Sequence, residues 1–300
     1  MADQHNTNIP AMGNEITSDI PDIKENLEFH WDIIEQICLS TSQTSAIGNL
    51  LKQQFVRSKF TYNGGSTAYT VKCEPAIYHC KDKYCYWDSE LTTTAVGTPA
   101  ASTWYYLYLD YSAITSYTEI TNSELAWSST APAWNDTYKA WMNSDDRCIF
   151  AVLTNDTPNN ILEFFHDGGN YVLYADCLTA GTTAVDDFDF TGEDVDTTET
   201  DAFLPIPAFA TKSSCTFILN LNGGTNLCSL NYFTKGQTGT TGHAVCRVID
   251  YDNSSGGQDW DVNSVDVFCD SDRTIQVKNS ATGGELVYIY VDGWYFPTGM

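Results

Sequence analysis

The run Trp104-Tyr105-Tyr106-Leu107-Tyr108-Leu109-Asp110 leaves a chain few options. An unbroken series of aromatic and aliphatic side chains has no polar face to offer a helix, and it fits a pleated strand that is largely buried. Such a strand needs partners, and the residues up to 174 supply them. Asp145-Asp146-Arg147 makes a polar corner before the apolar strand Cys148 to Leu153. Ile161 to Tyr174 reads strand, turn, strand, with Asp167-Gly168-Gly169-Asn170 providing the positive-φ residues of a hairpin. Upstream, Tyr62-Asn63-Gly64-Gly65-Ser66 turns between the strands Phe60 to Tyr62 and Ala68 to Val71. Further strands are expected at 76–79, 84–87 and 103–110. Trp127, Trp134 and Trp141 recur every seven residues, but Pro132 interrupts any helix there, so they are expected to cover a sheet edge.

Strand periodicity returns after residue 210, at 215–221, 244–249, 262–268, 274–278 and 286–295, punctuated by Gly-rich turns. Five strands at this spacing suggest a sandwich or jelly roll. In the last of them Val287, Ile289 and Val291 face one way and Leu286, Tyr288 and Tyr290 the other, a pattern suited to burial between subunits. Between the two β-rich stretches, residues 181–210 carry Asp186, Asp187, Asp189, Glu193, Asp194, Asp196, Glu199 and Asp201 without a Lys or Arg, followed by Pro205 and Pro207. This reads as a solvated, self-repelling connector. The N-terminus differs: 1–15 is a polar arm, Ser18 or Asp19 can cap a helix and Pro21 suits its first turn. Ile20, Ile23, Leu27, Ile34 and Ile37 follow a 3-4-3-4 spacing, with His30 in the remaining position. That is the seam of a short coiled coil, or the buried face of an amphipathic helix. A second helical segment is expected over 44–57.

The expected fold is thus mainly β: a short N-terminal helical, coiled-coil-like anchor (1–57), a β-rich module (58–180), an acidic and Pro-containing linker (181–210) and a C-terminal β-sandwich (211–300), the modules being sandwich or jelly-roll-like. A net charge of -25, from 39 acids and 14 bases, disfavours nucleic acid as a partner. No apolar run approaches the roughly 18 residues of a membrane span, and no secretory signal opens the chain, so a soluble protein made in a cytoplasm is expected. The ten cysteines are scattered, and most of them read as buried thiols.

The order Trp-Tyr-Tyr-Leu-Tyr-Leu-Asp, Thr121-Asn122-Ser123-Glu124-Leu125, Thr130-Ala131-Pro132-Ala133-Trp134, Asp145-Asp146-Arg147-Cys148-Ile149 and the Phe-His-Asp-Gly hairpin resembles a module of tailed-bacteriophage fibre and virion-surface proteins, over residues 60–180. The ending Tyr288 to Pro297 is similar to the last strand of phage fibre heads. The resemblance implies a place on the virion, after synthesis in the bacterial cytoplasm. It also implies a homotrimer held through Ile20, Ile23, Leu27, His30, Ile34 and Ile37, contact with other virion proteins through the N-terminal segment, and a host glycan or protein as a further partner. It implies no catalytic residue. A tail fibre or receptor-binding protein, and a capsid decoration protein, head fibre or tail and neck adaptor, fit it equally.

Catalytic signatures are absent from the sequence: there is no G-x-S-x-G elbow, H-E-x-x-H helix, phosphate loop or dinucleotide fingerprint. Cys73, His79, Cys80 and Cys85 match no common zinc spacing, and neighbours 79 and 80 point to opposite faces of a strand. The segment 250–261 resembles a calcium loop in Asp250, Asp252 and Asp261, with Ser254 as a further oxygen ligand, but it has Ser255 where the turn needs glycine and Asp261 where a longer Glu gives two oxygens, so an Asx-rich loop is the better reading. Calcium is the one cofactor the sequence suggests. Exposed aromatics beside Asp or Asn suit glycan contact, and Trp260 and Trp294 are the candidates.

Overall fold

Alternation with a period of two governs the chain from Phe60 onward, and the computed structural model is accordingly mainly β. It describes residues 57–64, 70–96, 99–116, 118–155, 160–181, 190–221, 227–237, 242–248, 259–280 and 285–300, which belong to one compact unit, Arg57–Met300. The anchor expected over 1–57, with its seam from Ile20 to Ile37, lies outside the described residues but for Arg57.

Three sheets arise within residues 60–153. The first joins β1 (Phe60–Asn63) and β2 (Thr70–Cys73) as the expected hairpin. A second hairpin, β3 (Ala76–Cys80) with β4 (Lys83–Trp87), follows before β5 (Leu91–Thr92) returns to pair with β2. The aromatic run is β6 (Trp104–Leu109), and β7 (Thr118–Glu119) then pairs in parallel with β4. Next come β8 (Leu125–Ser128), β9 (Ala133–Asn135), β10 (Ala140–Asn143) and β11 (Asp146–Leu153), in a sheet of order β8-β6-β11-β10-β9. A run buried on both faces belongs inside a sheet, and Tyr106 to Leu109 are indeed buried between two neighbouring strands. Trp134 and Trp141 sit directly opposite each other on β9 and β10, rings 5.8 Å apart, at the end of the sheet.

The rest of the chain forms β12 (Phe164–His166), β13 (Tyr171–Thr179), β14 (Thr191–Asp194), β15 (Thr200–Phe203), β16 (Lys212–Leu221), β17 (Cys228–Thr234), β18 (His243–Val248), β19 (Asp259–Phe268), β20 (Thr274–Asn279) and β21 (Glu285–Tyr295). One sheet runs β12-β13-β21-β16-β19, with β14 also on β21; the other runs β15-β20-β17-β18. Setting β12 and β14 aside, the first sheet holds the first, eighth, third and sixth of eight strands, and the second sheet holds the second, seventh, fourth and fifth. All the pairs are antiparallel, and this is the strand order of a jelly roll. Cys215, Phe217 and Leu219 of β16 and Val287, Ile289 and Val291 of β21 are fully buried on its inner face.

Two expectations are corrected here. The supposed connector 181–210 contains β14 and β15, and its Leu204, Ile206 and Phe209 are fully buried. Its described acids point outward, where Asp201 meets Lys235 at 2.6 Å and Glu199 meets Lys278 at 3.6 Å. Nor does the sandwich begin at residue 211, because β13 pairs with β21 and so lies in the same sheet.

Candidate functional site

Where the six-stranded sheet ends at β12, it meets β1. Phe60 N–H donates to His166 Nδ1 at 3.0 Å, so the other ring nitrogen carries the proton and faces the Gly169 carbonyl at 3.1 Å. The ring is buried against Phe60, Phe150 and Phe296, and burial lowers its pKa. Both nitrogens are therefore occupied in joining β1 to the β12–β13 hairpin. Asp167, the neighbouring carboxylate, accepts the Gly169 N–H at 2.8 Å as a turn residue.

Beside this junction lies an open groove of about 560 Å³. Lys59, Phe60 and Thr61 form one wall, and Phe164, Phe165, Asp167, Tyr171 and Leu173 complete it. Phe165 and Leu173 are directly opposite each other on β12 and β13 and remain 57% and 39% exposed.

The groove opens onto the outer face of the same sheet. The pairing Leu173–Gly293–Ser214–Asp266 carries that face across β13, β21, β16 and β19. Lower rows hold Tyr290, Thr216 and Ser264, then Tyr288, Ile218 and Val262, then Leu286, Asn220 and Trp260. At the far edge, β19 presents Trp260 and Val262 and, beyond Ser264 and Asp266 on the same face, Phe268, the three apolar side chains being about half exposed or more. On the other side of β21, β14 adds Thr191 opposite Tyr288 and the exposed Asp194 opposite Leu286. Asp266 is paired with Lys212 at 2.7 Å and accepts the Tyr295 hydroxyl at 2.9 Å. Asp292 accepts the Thr216 hydroxyl at 2.9 Å, and burial raises its carboxyl pKa. The Lys212 ammonium lies 4.1 Å from the centre of the Tyr295 ring. Gly293 has no room for a side chain, since a Cβ there would meet the Val172 carbonyl and the Tyr171 ring.

The sequence-derived site residues fare differently. Trp260 is exposed, 5.9 Å from the Tyr288 ring, as glycan contact would require. Trp294 is not available for contact: it is 1% exposed, packed 4.7 Å from Phe296 and 5.5 Å from Phe209. A bulge explains the error. Ser214 faces Gly293 while Cys215 faces Val291, so Asp292 is an extra residue and the alternation reverses after it. Asp250, Asp252 and Ser254 lie outside the described residues. Asp261 accepts the Arg247 N–H at 2.7 Å, and Asn263, two residues on, donates to the Val245 carbonyl at 2.8 Å. Those two side chains tie β19 to β18 across the seam between the two sheets. Cys73, Cys80 and Cys85 are buried thiols and His79 packs on Tyr84; among the described residues no group of three or more His, Cys, Asp or Glu side chains is disposed to hold a metal. Burial pushes Cys73 and Cys85 up to about 12, which keeps them protonated and inert. The groove escaped sequence reading because its two walls are about 100 residues apart.

No protein-family model matches the chain, and no curated protein matches it. A solved structure described as "Structure of infectious bursal disease virus Gx strain" aligns with 81% of this chain and 70% of its own, at 12% identity and a TM-score of 0.17. A likeness so slight carries no argument about either fold or function. No described helix is long and apolar enough to cross a membrane.

Proposed function

We propose that the chain is a non-enzymatic phage virion protein displayed on the particle surface, a homotrimeric tail fibre or receptor-binding protein attached through residues 1–57. The observation that carries this reading is the jelly roll's outer sheet face, broad and set with exposed or half-exposed aromatic side chains, Trp260, Tyr288 and Phe268 among them. A surface of that composition serves contact with another macromolecule. Jelly rolls are frequent in capsid and lectin domains, although the fold alone decides no function. The occupied nitrogens of His166 and the buried thiols support a structural role for residues that elsewhere do chemistry. The same features serve a capsid decoration protein, head fibre or adaptor, for which the partner is another virion protein.

Antibodies to the 57–300 unit, used to label virions from the host that carries the gene, separate these readings in the electron microscope. Label at the tail tip is expected and assigns host recognition. Label on the head assigns decoration, and particles without label remove the virion reading.

A further inference from the structure

Among the described residues, no strand ladder joins β1 to the β12–β13 hairpin. β1 pairs with β2 on its other side, where Ser58 Oγ donates to the Glu74 carbonyl at 2.7 Å and Glu74 N–H to the Lys59 carbonyl at 2.9 Å. Those ties run away from the groove. Across it, Phe60 N–H donates to His166 Nδ1, and Arg57 donates at the hairpin turn to the Gly169 carbonyl at 3.1 Å and Asn170 Oδ1 at 2.7 Å. The remaining contact is aromatic: Phe60 stacks on the His166 ring at 5.7 Å and Tyr62 meets Phe164 edge-on at 6.3 Å. One lone pair on an imidazole nitrogen thus completes the join, and a nitrogen that accepts a backbone N–H cannot also carry a proton.

We propose that His166 is an acid-operated latch: when Nδ1 takes up a proton, β1 parts from the β12–β13 hairpin and the groove between them opens. Protonation turns Nδ1 into a donor that faces the donor Phe60 N–H, so an attraction becomes a repulsion. The new charge also has poor company. Nε2 and Arg57 share the Gly169 carbonyl, which sets the imidazolium beside a guanidinium. Lys59, paired with Glu74 at 3.3 Å, brings a second cation from the segment that enters β1. From the hairpin turn Asp167 offers a carboxylate, already occupied by the Gly169 N–H. β11 and the tail after β21 present Phe150 and Phe296, which carry no charge. Burial of the ring opposes the proton too, so the opening belongs to acid below the ordinary histidine range, and at neutral pH the latch is closed. Opening uncovers Phe60 and Phe164, both buried in the closed form. The device is independent of which partner the chain serves.

Hydrogen exchange of the full chain from pH 7.5 down to pH 4, read by mass spectrometry at single amides and at the C2 hydrogens of the histidine rings, tests the latch. Ring exchange gives the pH at which His166 is half protonated. Through that pH the Phe60 amide is expected to lose about tenfold of its protection, corrected for the intrinsic rate, which is the scale of one lost hydrogen bond. The amides of Tyr106 to Leu109, inside the five-stranded sheet, are expected to keep theirs. His166→Asn, whose carboxamide oxygen can accept from Phe60 N–H and does not titrate, is expected to hold Phe60 protected over the same range. A ring that takes its proton while Phe60 stays protected overturns the inference. So does simultaneous loss of protection at Phe60 and at Tyr106 to Leu109, which is global unfolding. Opening of Phe60 in His166→Asn at the wild-type pH assigns the change to another group and overturns it as well; where that variant does not fold, the wild-type midpoints decide.

Discussion

His166 shows how one side chain can settle a junction that backbone pairing leaves open. Its neutral ring accepts from Phe60 N–H on one side and faces the Gly169 carbonyl on the other, inside an aromatic cage. Burial keeps its pKa below the ordinary value, so the folded protein binds fewer protons than the unfolded chain between the two values. The stability conferred by the neutral ring is fully present above the ordinary histidine value, about 6.5. It is lost as pH falls through that value toward the lowered one. His166→Phe leaves the Phe60 N–H without its acceptor, a loss of about 1–3 kcal/mol at pH 7.5. Because the variant has no ring to protonate, urea unfolding at pH 7.5, 6 and 5 should show its deficit against wild type narrowing as pH falls. A constant deficit would mean that the imidazole does not titrate with folding. Nothing in the sequence marked this role, since Phe60 and His166 are 106 positions apart.

At the scale of elements, strands and the hairpin partners β1–β2 and β12–β13 were legible, and partners distant in sequence were not. β6, β16, β19 and β21 could be placed from composition and alternation because each carries its own periodicity. That β21 would bond both β13 and β16 depends on residues far apart in sequence, and the acids of 181–210 concealed strands that also carry buried apolar residues, Ala202 and Phe203 in β15. Trp294 was misplaced for a related reason: one bulge reverses a parity that the sequence displays without interruption. The tail after β21 shows a comparable dependence on distant elements. Arg57 donates to the Met300 carbonyl at 3.1 Å and to Asn170 Oδ1 at 2.7 Å, and lies 4.1 Å from the Phe296 ring centre. Arg147 donates to the Gly299 carbonyl at 3.2 Å and Trp141 to the Thr298 carbonyl at 3.2 Å. Arg57→Ala removes the charged donor to several acceptors at once and should cost about 2–3 kcal/mol in chemical unfolding. Arg57→Lys should recover only part of this, because an ammonium lacks the planar fork. Full recovery by lysine would reduce the interaction to a simple charge.

In the whole molecule the three sheets of residues 60–153 and the jelly roll share one core. Phe60 stacks on Phe150 at 4.2 Å, Phe150 lies 6.1 Å from Trp294, and Tyr106 lies 5.9 Å from Phe209. Aromatic contacts of this kind couple the two halves, so calorimetry of the 57–300 unit should show one cooperative transition with agreeing calorimetric and van't Hoff enthalpies. Two resolved transitions would restore the independence that the sequence suggested for 58–180 and 211–300. The hydrogen bond between Arg57 and Met300 has one more consequence, for connectivity. Since the first and last residues of the unit touch, the unit is nearly a closed loop, and its strand order does not depend on where that loop is cut. A short peptide joining 300 to 57, with new ends opened in the exposed turn at Ser89, should give a circular permutant that folds to the same sheets.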